Sequence, residues 1–165
     1  MDATVASQEM EALVRHYTPM LYRLALTRTR NPSDAEDVVQ EVFLRYLRSP
    51  HPPREEEHRK AWLIRTACHV CRNRAASAWF RRTVPLEGEI PLEDPQEREV
   101  FDAVQRLPLR YRTAIYLHYM EDMPVARMAE ALGLPVNTVK SHLHRGRALL
   151  RDALKGDYDD LRETL

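Results

Sequence analysis

Glycine and cysteine are scarce: four glycines and two cysteines stand in 165 residues. No Gly-rich loop able to cradle a phosphate is present, and neither a nucleophile elbow nor a paired-carboxylate pocket can be identified. Two thiols are too few for a disulfide scaffold. Cys68 and Cys71 have the C-x-x-C spacing, but the helical period places both sulfurs on a buried side, and no second pair completes a zinc site. His142 and His144 lie two apart on a helix and so diverge. No cofactor or metal is expected. Long apolar runs are missing too: nothing approaches the roughly 18 to 20 residues that cross a bilayer. The opening MDATVASQEM has neither a basic start nor an apolar signal core. These absences predict a cytoplasmic protein without membrane insertion. The last absence is net charge, since 25 basic residues balance 25 acidic ones.

What is present is a globular composition, 44% apolar and 30% charged, with its charges segregated along the chain. Residues 59 to 82 carry seven basic side chains and no acid, whereas residues 83 to 102 carry seven acids against Arg98 alone. A second basic stretch, Val136 to Arg151, holds Lys140, Arg145, Arg147 and Arg151, again with no acid. Only Lys60, Lys140 and Lys155 are lysines, which leaves 22 of the 25 basic residues as arginine. Arginine's planar fork suits bidentate contact with phosphate and guanine.

Helical periods dominate, and no strand pattern of useful length occurs. Leu13, Tyr17, Met20, Leu21 and Leu24 recur every three or four residues, which predicts an amphipathic helix from Glu9 to Thr29, ended by Asn31-Pro32. Ser33 followed by Glu36 has capping-box spacing and opens a second helix with Val38, Val39, Val42, Phe43 and Tyr46 on its buried side. The prolines of SPHPPR make a loop. A third helix is expected from about Glu56 to Phe80, burying Leu63, Ala67, Val70, Cys71 and Ala78. TVPLEGEIPLEDP, with three prolines and four acids, predicts a linker. Four helical segments follow, near Gln96 to Arg106, Arg110 to Glu121, Pro124 to Leu132 and Pro135 to Leu154. The fold class is therefore all-α, with two small helical domains joined by an acidic flexible linker.

The last two segments are separated by Gly133, where a left-handed turn is wanted, at the spacing of a helix-turn-helix. At 100° per residue, Val139, Leu143, Gly146 and Leu150 face inward, and Lys140, Ser141, His144, Arg145 and Arg151 face outward. An acid-free basic face with short polar donors suits phosphate contact and base readout; the bland alternative is a solvated helix surface, which usually mixes signs. On the third helix, Trp62, Arg65, Thr66, His69, Arg72 and Asn73 lie opposite the apolar side, a mixture suited to unpaired bases. Trp62 could equally pack against the neighbouring helix, and Trp79 and Phe80 fit a core or a domain edge. On the second helix, Asp34, Asp37 and Glu41 share a face, with Gln40 and Leu44 beside them. A protein partner with basic and apolar groups fits that surface.

The segments DAEDVVQEVFLRYL, AWLIRTACHVCRN and LPLRYRTAIYLHYMEDMPVARMAEALGLPVNTVKSHLHRGRALLR together resemble the extracytoplasmic-function sigma factors of the sigma-70 family, over nearly the whole chain. TVKS-x-L-x-RGR-x-LL is close to a signature of that family. The resemblance implies a sigma2-like helical bundle at 8–82, a linker at 83–95 and a sigma4-like helix-turn-helix domain at 96–156. It implies a non-enzymatic factor that binds core RNA polymerase and promoter DNA, and that an anti-sigma factor commonly holds inactive. Asp37, Gln40, Glu41 and Leu44 would dock on the beta-prime clamp helices. Trp62, Arg65, His69, Arg72 and Asn73, with the loop from Pro50 to Lys60, would melt and read the minus-10 element. Thr138, Lys140, Ser141, His144, Arg145 and Arg147 would serve the minus-35 element, and the acidic tether would thread the polymerase channel. Bound to polymerase, the protein would sit at the nucleoid. Two departures stand out: Ala67-Cys68-His69 replaces a frequent Ala-Arg-Asn, and His142 replaces a frequent Arg. A dimeric response-regulator activator would instead require a receiver domain of alternating strands and helices, which the helical, basic N-terminal half lacks. A helical metal or thiol enzyme using Cys68, Cys71 and nearby histidines is the rival from another class, which stoichiometric zinc in the pure protein would support.

Overall fold

A computed structural model describes residues 3–77 and 94–163, and every described element is a helix, turn or loop, as the all-α reading expects. The chain divides into two compact units, Met1–Gly88 and Glu89–Leu165. In the first, α1 (Ala3–Thr29), α2 (Pro32–Arg48) and α3 (Glu56–Ser77) pack pairwise against one another. The expected stripes meet in the middle: Leu21, Leu24, Val38, Val42, Leu63 and Ala67 have no exposed surface. Complete burial of each larger aliphatic side chain contributes about 1.5–3 kcal/mol.

α1 begins earlier than its apolar stripe implies and runs through Pro19. Its end is made by Arg30, left-handed at φ 52°, whose N–H still reaches Leu26 O at 2.8 Å. The start of α2 corrects the sequence expectation. The cap is Asn31, not Ser33: Asn31 is extended at φ −141°, and its side-chain oxygen accepts from Asp34 N at 3.2 Å. Pro32 then occupies the first helical position, where its missing N–H costs nothing, so the helix starts before the Ser33 box can act. The loop after α2 is anchored by the Tyr46 hydroxyl, which donates to Pro53 O at 3.0 Å.

The second unit holds α4 (Pro95–Gln105), α5 (Leu109–Ile115), α6 (Val125–Leu132) and α7 (Val136–Glu163). The expected linker 83–95 lies outside the described residues up to its last two, as do Ala78, Trp79 and Phe80 of the third-helix reading. Those last two residues belong to α4 instead, with Asp94 as the cap accepting from Gln96 N at 2.9 Å and Pro95 as the first helical residue. The segment expected as one helix from Arg110 to Glu121 is α5 followed by a wide π turn, Tyr116–Met120. The buried Tyr116 hydroxyl donates to the Glu121 carboxylate, five residues on, at 2.6 Å, a spacing that matches the i to i+5 period of that turn. α7 is the spine of this unit and packs on α4, α5 and α6. Phe101, Ile115, Tyr116, Leu117, Met128, Val139 and Leu143 fill the core.

Candidate nucleic-acid interface

α6 ends in a turn whose backbone explains why the next helix can follow so closely. Gly133 adopts φ 65° and ψ 36°, a left-handed conformation that strains any side chain bearing Cβ. Gly133 N bonds Glu130 O at 3.4 Å and Leu134 N bonds Ala129 O at 3.1 Å, the paired bonds of a Schellman cap. Pro135 then accepts from Thr138 N and Val139 N at 3.0 and 3.1 Å and starts α7.

Along α7 the expected faces hold. Val139 and Leu143 are buried at 0% and 2% exposure, and Gly146 is buried with them. Lys140, Ser141, His144, Arg145 and Arg147 are exposed, with Thr138 half-buried. One of the arginines is tied from beneath: Arg147 Nη1 donates to the Tyr119 hydroxyl at 2.8 Å. The cationic Arg145 and then Arg110, the latter 4.9 Å over the Tyr111 ring, lower the Tyr111 pKa from 10.0. His142, half-buried, meets the Tyr111 ring edge-on at 5.7 Å. Burial first, then the charges of Arg110 and Arg145, lower its pKa from 6.5, which leaves it neutral at pH 7.

On α3, Arg65, His69, Arg72 and Asn73 are exposed, and Asn73 Nδ2 lies 3.4 Å from His69 Nε2. Trp62 is half-buried. Its ring meets Tyr46 of α2 edge-on at 5.5 Å, so helix packing holds one edge while part of the ring stays open. Cys68 and Cys71 are buried, and burial pushes both thiols up, Cys71 to about 12. Such protonated thiols are weak nucleophiles at neutral pH.

On α2, Asp37, Gln40 and Leu44 are exposed and Glu41 is half-buried. Their charges are not idle: Arg74 of α3 bridges Asp34 and Asp37, each at 3.1 Å, and Arg45 holds Glu41 at 3.0 Å. Sequence reasoning missed Arg74, Tyr111 and Tyr119. Each acts across 28 or more residues of chain, and no local spacing announces such a tie.

Residues 13–81 match sigma-70 region 2 and residues 95–150 match sigma-70 region 4, so the two units are those of a sigma-70 family protein. The relatives narrow the group. The chain is 33% identical over 135 residues to the RNA polymerase sigma factor SigV of Bacillus subtilis, spanning 79% of this chain and 81% of that one. It is 32% identical over 145 residues to the ECF RNA polymerase sigma factor SigM of Mycobacterium tuberculosis, spanning 85% and 74%. The fold is shared with the sigma factor RpoE of Bartonella quintana, solved in complex with the anti-sigma factor NepR, at a TM-score of 0.72 and 19% identity over 90% of this chain and 98% of that one. The chain belongs to the extracytoplasmic-function group of RNA polymerase sigma factors. Its function is promoter-specific transcription initiation.

Proposed function

We propose that three separate surfaces of this chain carry out its role in initiation. The observation that carries the reading is the outer face of α7 from Val136 to Arg151, which holds no acid and is exposed directly after the Gly133 turn. In a domain spanning 96–156, Thr138, Lys140, Ser141, His144, Arg145 and Arg147 contact the minus-35 duplex, the arginines and Lys140 through guanine edges and phosphates. In a domain spanning 8–82, Arg65, His69, Arg72 and Asn73 contact the melted minus-10 strand, and the open part of Trp62 offers a stacking surface. Asp37, Gln40, Glu41 and Leu44 dock on the beta-prime clamp helices of core polymerase. Asp37 and Glu41 each accept from one arginine already, and a carboxylate has lone pairs left for a partner's basic side chain. Residues 83–93 tether the two domains.

The chain performs no reaction of its own in this reading, which fits thiols that are buried and protonated. It works in the cytoplasm, at the nucleoid when polymerase-bound, under the control of an anti-sigma partner, as the fold's occurrence in a complex with NepR suggests. Run-off transcription with bacterial core polymerase on genomic promoter fragments tests the whole. Arg145→Ala is expected to reduce minus-35-dependent initiation by about five- to 150-fold with core binding intact, since a lost bidentate contact costs about 1–3 kcal/mol. Charge reversal at Asp37 and Glu41 is expected to weaken core association and leave isolated duplex binding alone. Loss of core binding in Arg145→Ala would contradict separate surfaces.

A further inference from the structure

The sequence Arg145-Gly146-Arg147 marks the point where α7 touches the helix beneath it. A Cβ on Gly146 would stand 2.7 Å from Ile115 Cγ1 and 3.4 Å from Tyr111 Cβ, so the glycine is the contact itself. Neighbouring residues on a helix leave it about 100° to either side. Arg145 and Arg147 therefore emerge on opposite flanks of that contact, and on one flank Arg147 donates to the Tyr119 hydroxyl at 2.8 Å. Ile115, at the contact, is midway in sequence between the two tyrosines. On a regular helix Tyr111 and Tyr119, eight residues apart, would be about 80° out of line. The π turn at Tyr116–Met120 winds more slowly and takes back much of that angle, bringing Tyr119 round toward α7.

We propose that Tyr119 is a positioning residue for promoter readout, holding Arg147 on its flank of α7 before DNA arrives. The proposal rests on α7 being the helix that reads the minus-35 element. The chemistry of the tie fits this use. A phenol oxygen accepts a hydrogen bond without neutralising the guanidinium, whereas the carboxylates that hold Arg74 and Arg45 in the other unit do neutralise their partners. A guanidinium has five N–H donors, so one given to tyrosine leaves four for a guanine edge or a phosphate. Ordering this long side chain in advance removes an entropy cost from the binding step.

The test uses Tyr119→Phe in the full chain, which deletes the hydroxyl and keeps the ring. With core polymerase, binding is measured to a promoter fragment that supports run-off transcription and to the same fragment with its minus-35 element scrambled. The substitution is expected to reduce discrimination between the two by about two- to tenfold, with thermal stability and core affinity unchanged. Tyr119→Phe is expected to have no further effect in an Arg147→Ala background, which a merely structural role would not produce. Full discrimination in Tyr119→Phe, or equal losses with and without Arg147, overturns the proposal while leaving α7 as the reading helix. If Arg147→Ala itself leaves discrimination intact, the readout role of Arg147 falls, and the proposal with it.

Discussion

His142 shows how one residue's surroundings set a measurable pH dependence. Its ring lies against Tyr111 and near the cationic Arg110 and Arg145, and both burial and those charges hold its pKa below 6.5. The unfolded chain therefore takes up this proton at a higher pH than the folded one. The stability tied to neutral His142 is complete above about pH 6.5 and is lost as pH falls through the lower folded value. Thermal unfolding followed from pH 7.5 to 5 is expected to show a midpoint that drops with acid, and His142→Gln is expected to flatten the slope. An unchanged slope in that variant would place the acid sensitivity elsewhere. The thiols behave differently. With Cys71 pushed to about 12, only about one molecule in ten thousand carries its thiolate at pH 8. Alkylation of the native protein by iodoacetamide at pH 8 is expected to be negligible until denaturant opens the first unit. Rapid labelling without denaturant would show the core to be more open than the burial of Cys68 and Cys71 allows.

At the scale of elements, the start of α2 offers a direct comparison of two caps. Asn31→Ala removes the acceptor of Asp34 N and is expected to cost about 1 kcal/mol, whereas Ser33→Ala, inside the helix, is expected to cost under about 0.5 kcal/mol. Urea midpoints of the two variants decide the order, and a larger loss for Ser33→Ala would restore the capping box. The heptad-like stripes of α1, α2 and α3, the Gly133 turn and the outward face of α7 were legible because each depends on spacing within a single element. The Asn31 cap was obscured by a competing signal two residues later, and Pro32 settles the competition. The π turn was not legible, because Tyr116 and Glu121 carry no mark of a buried bond in an otherwise helical sequence. Arg74 counts only as one of the seven basic residues of 59–82 in the sequence, yet its guanidinium binds Asp34 and Asp37 of the neighbouring helix. Charge counting along a chain assigns a residue its sign but not its direction, and that direction here comes from the packing of α3 on α2.

For the whole molecule, the decisive feature is that each unit has its own apolar core, Leu13 to Cys71 in one and Phe101 to Leu143 in the other. Units of this size bury only about 60% of their unfolded surface and are marginal, yet each closes its helices on one another. If each unit contacts the promoter as proposed, the covalent connection converts the second contact into an intramolecular event at an effective concentration near millimolar. Fragments Met1–Gly88 and Glu89–Leu165 are accordingly expected to retain helical circular dichroism and cooperative melting when made separately. Mixed at the nanomolar concentrations where the intact chain supports run-off transcription, they are expected to support none, because the second unit must find an already loaded polymerase from dilute solution. Raising the second fragment toward micromolar and above is expected to restore part of the signal through direct binding to the minus-35 duplex, more so at low salt, since phosphate contacts carry most of that affinity. Equal transcription from mixed fragments and intact chain at nanomolar concentration would mean that one unit alone suffices, and would assign promoter choice to a single surface rather than to the linkage of two.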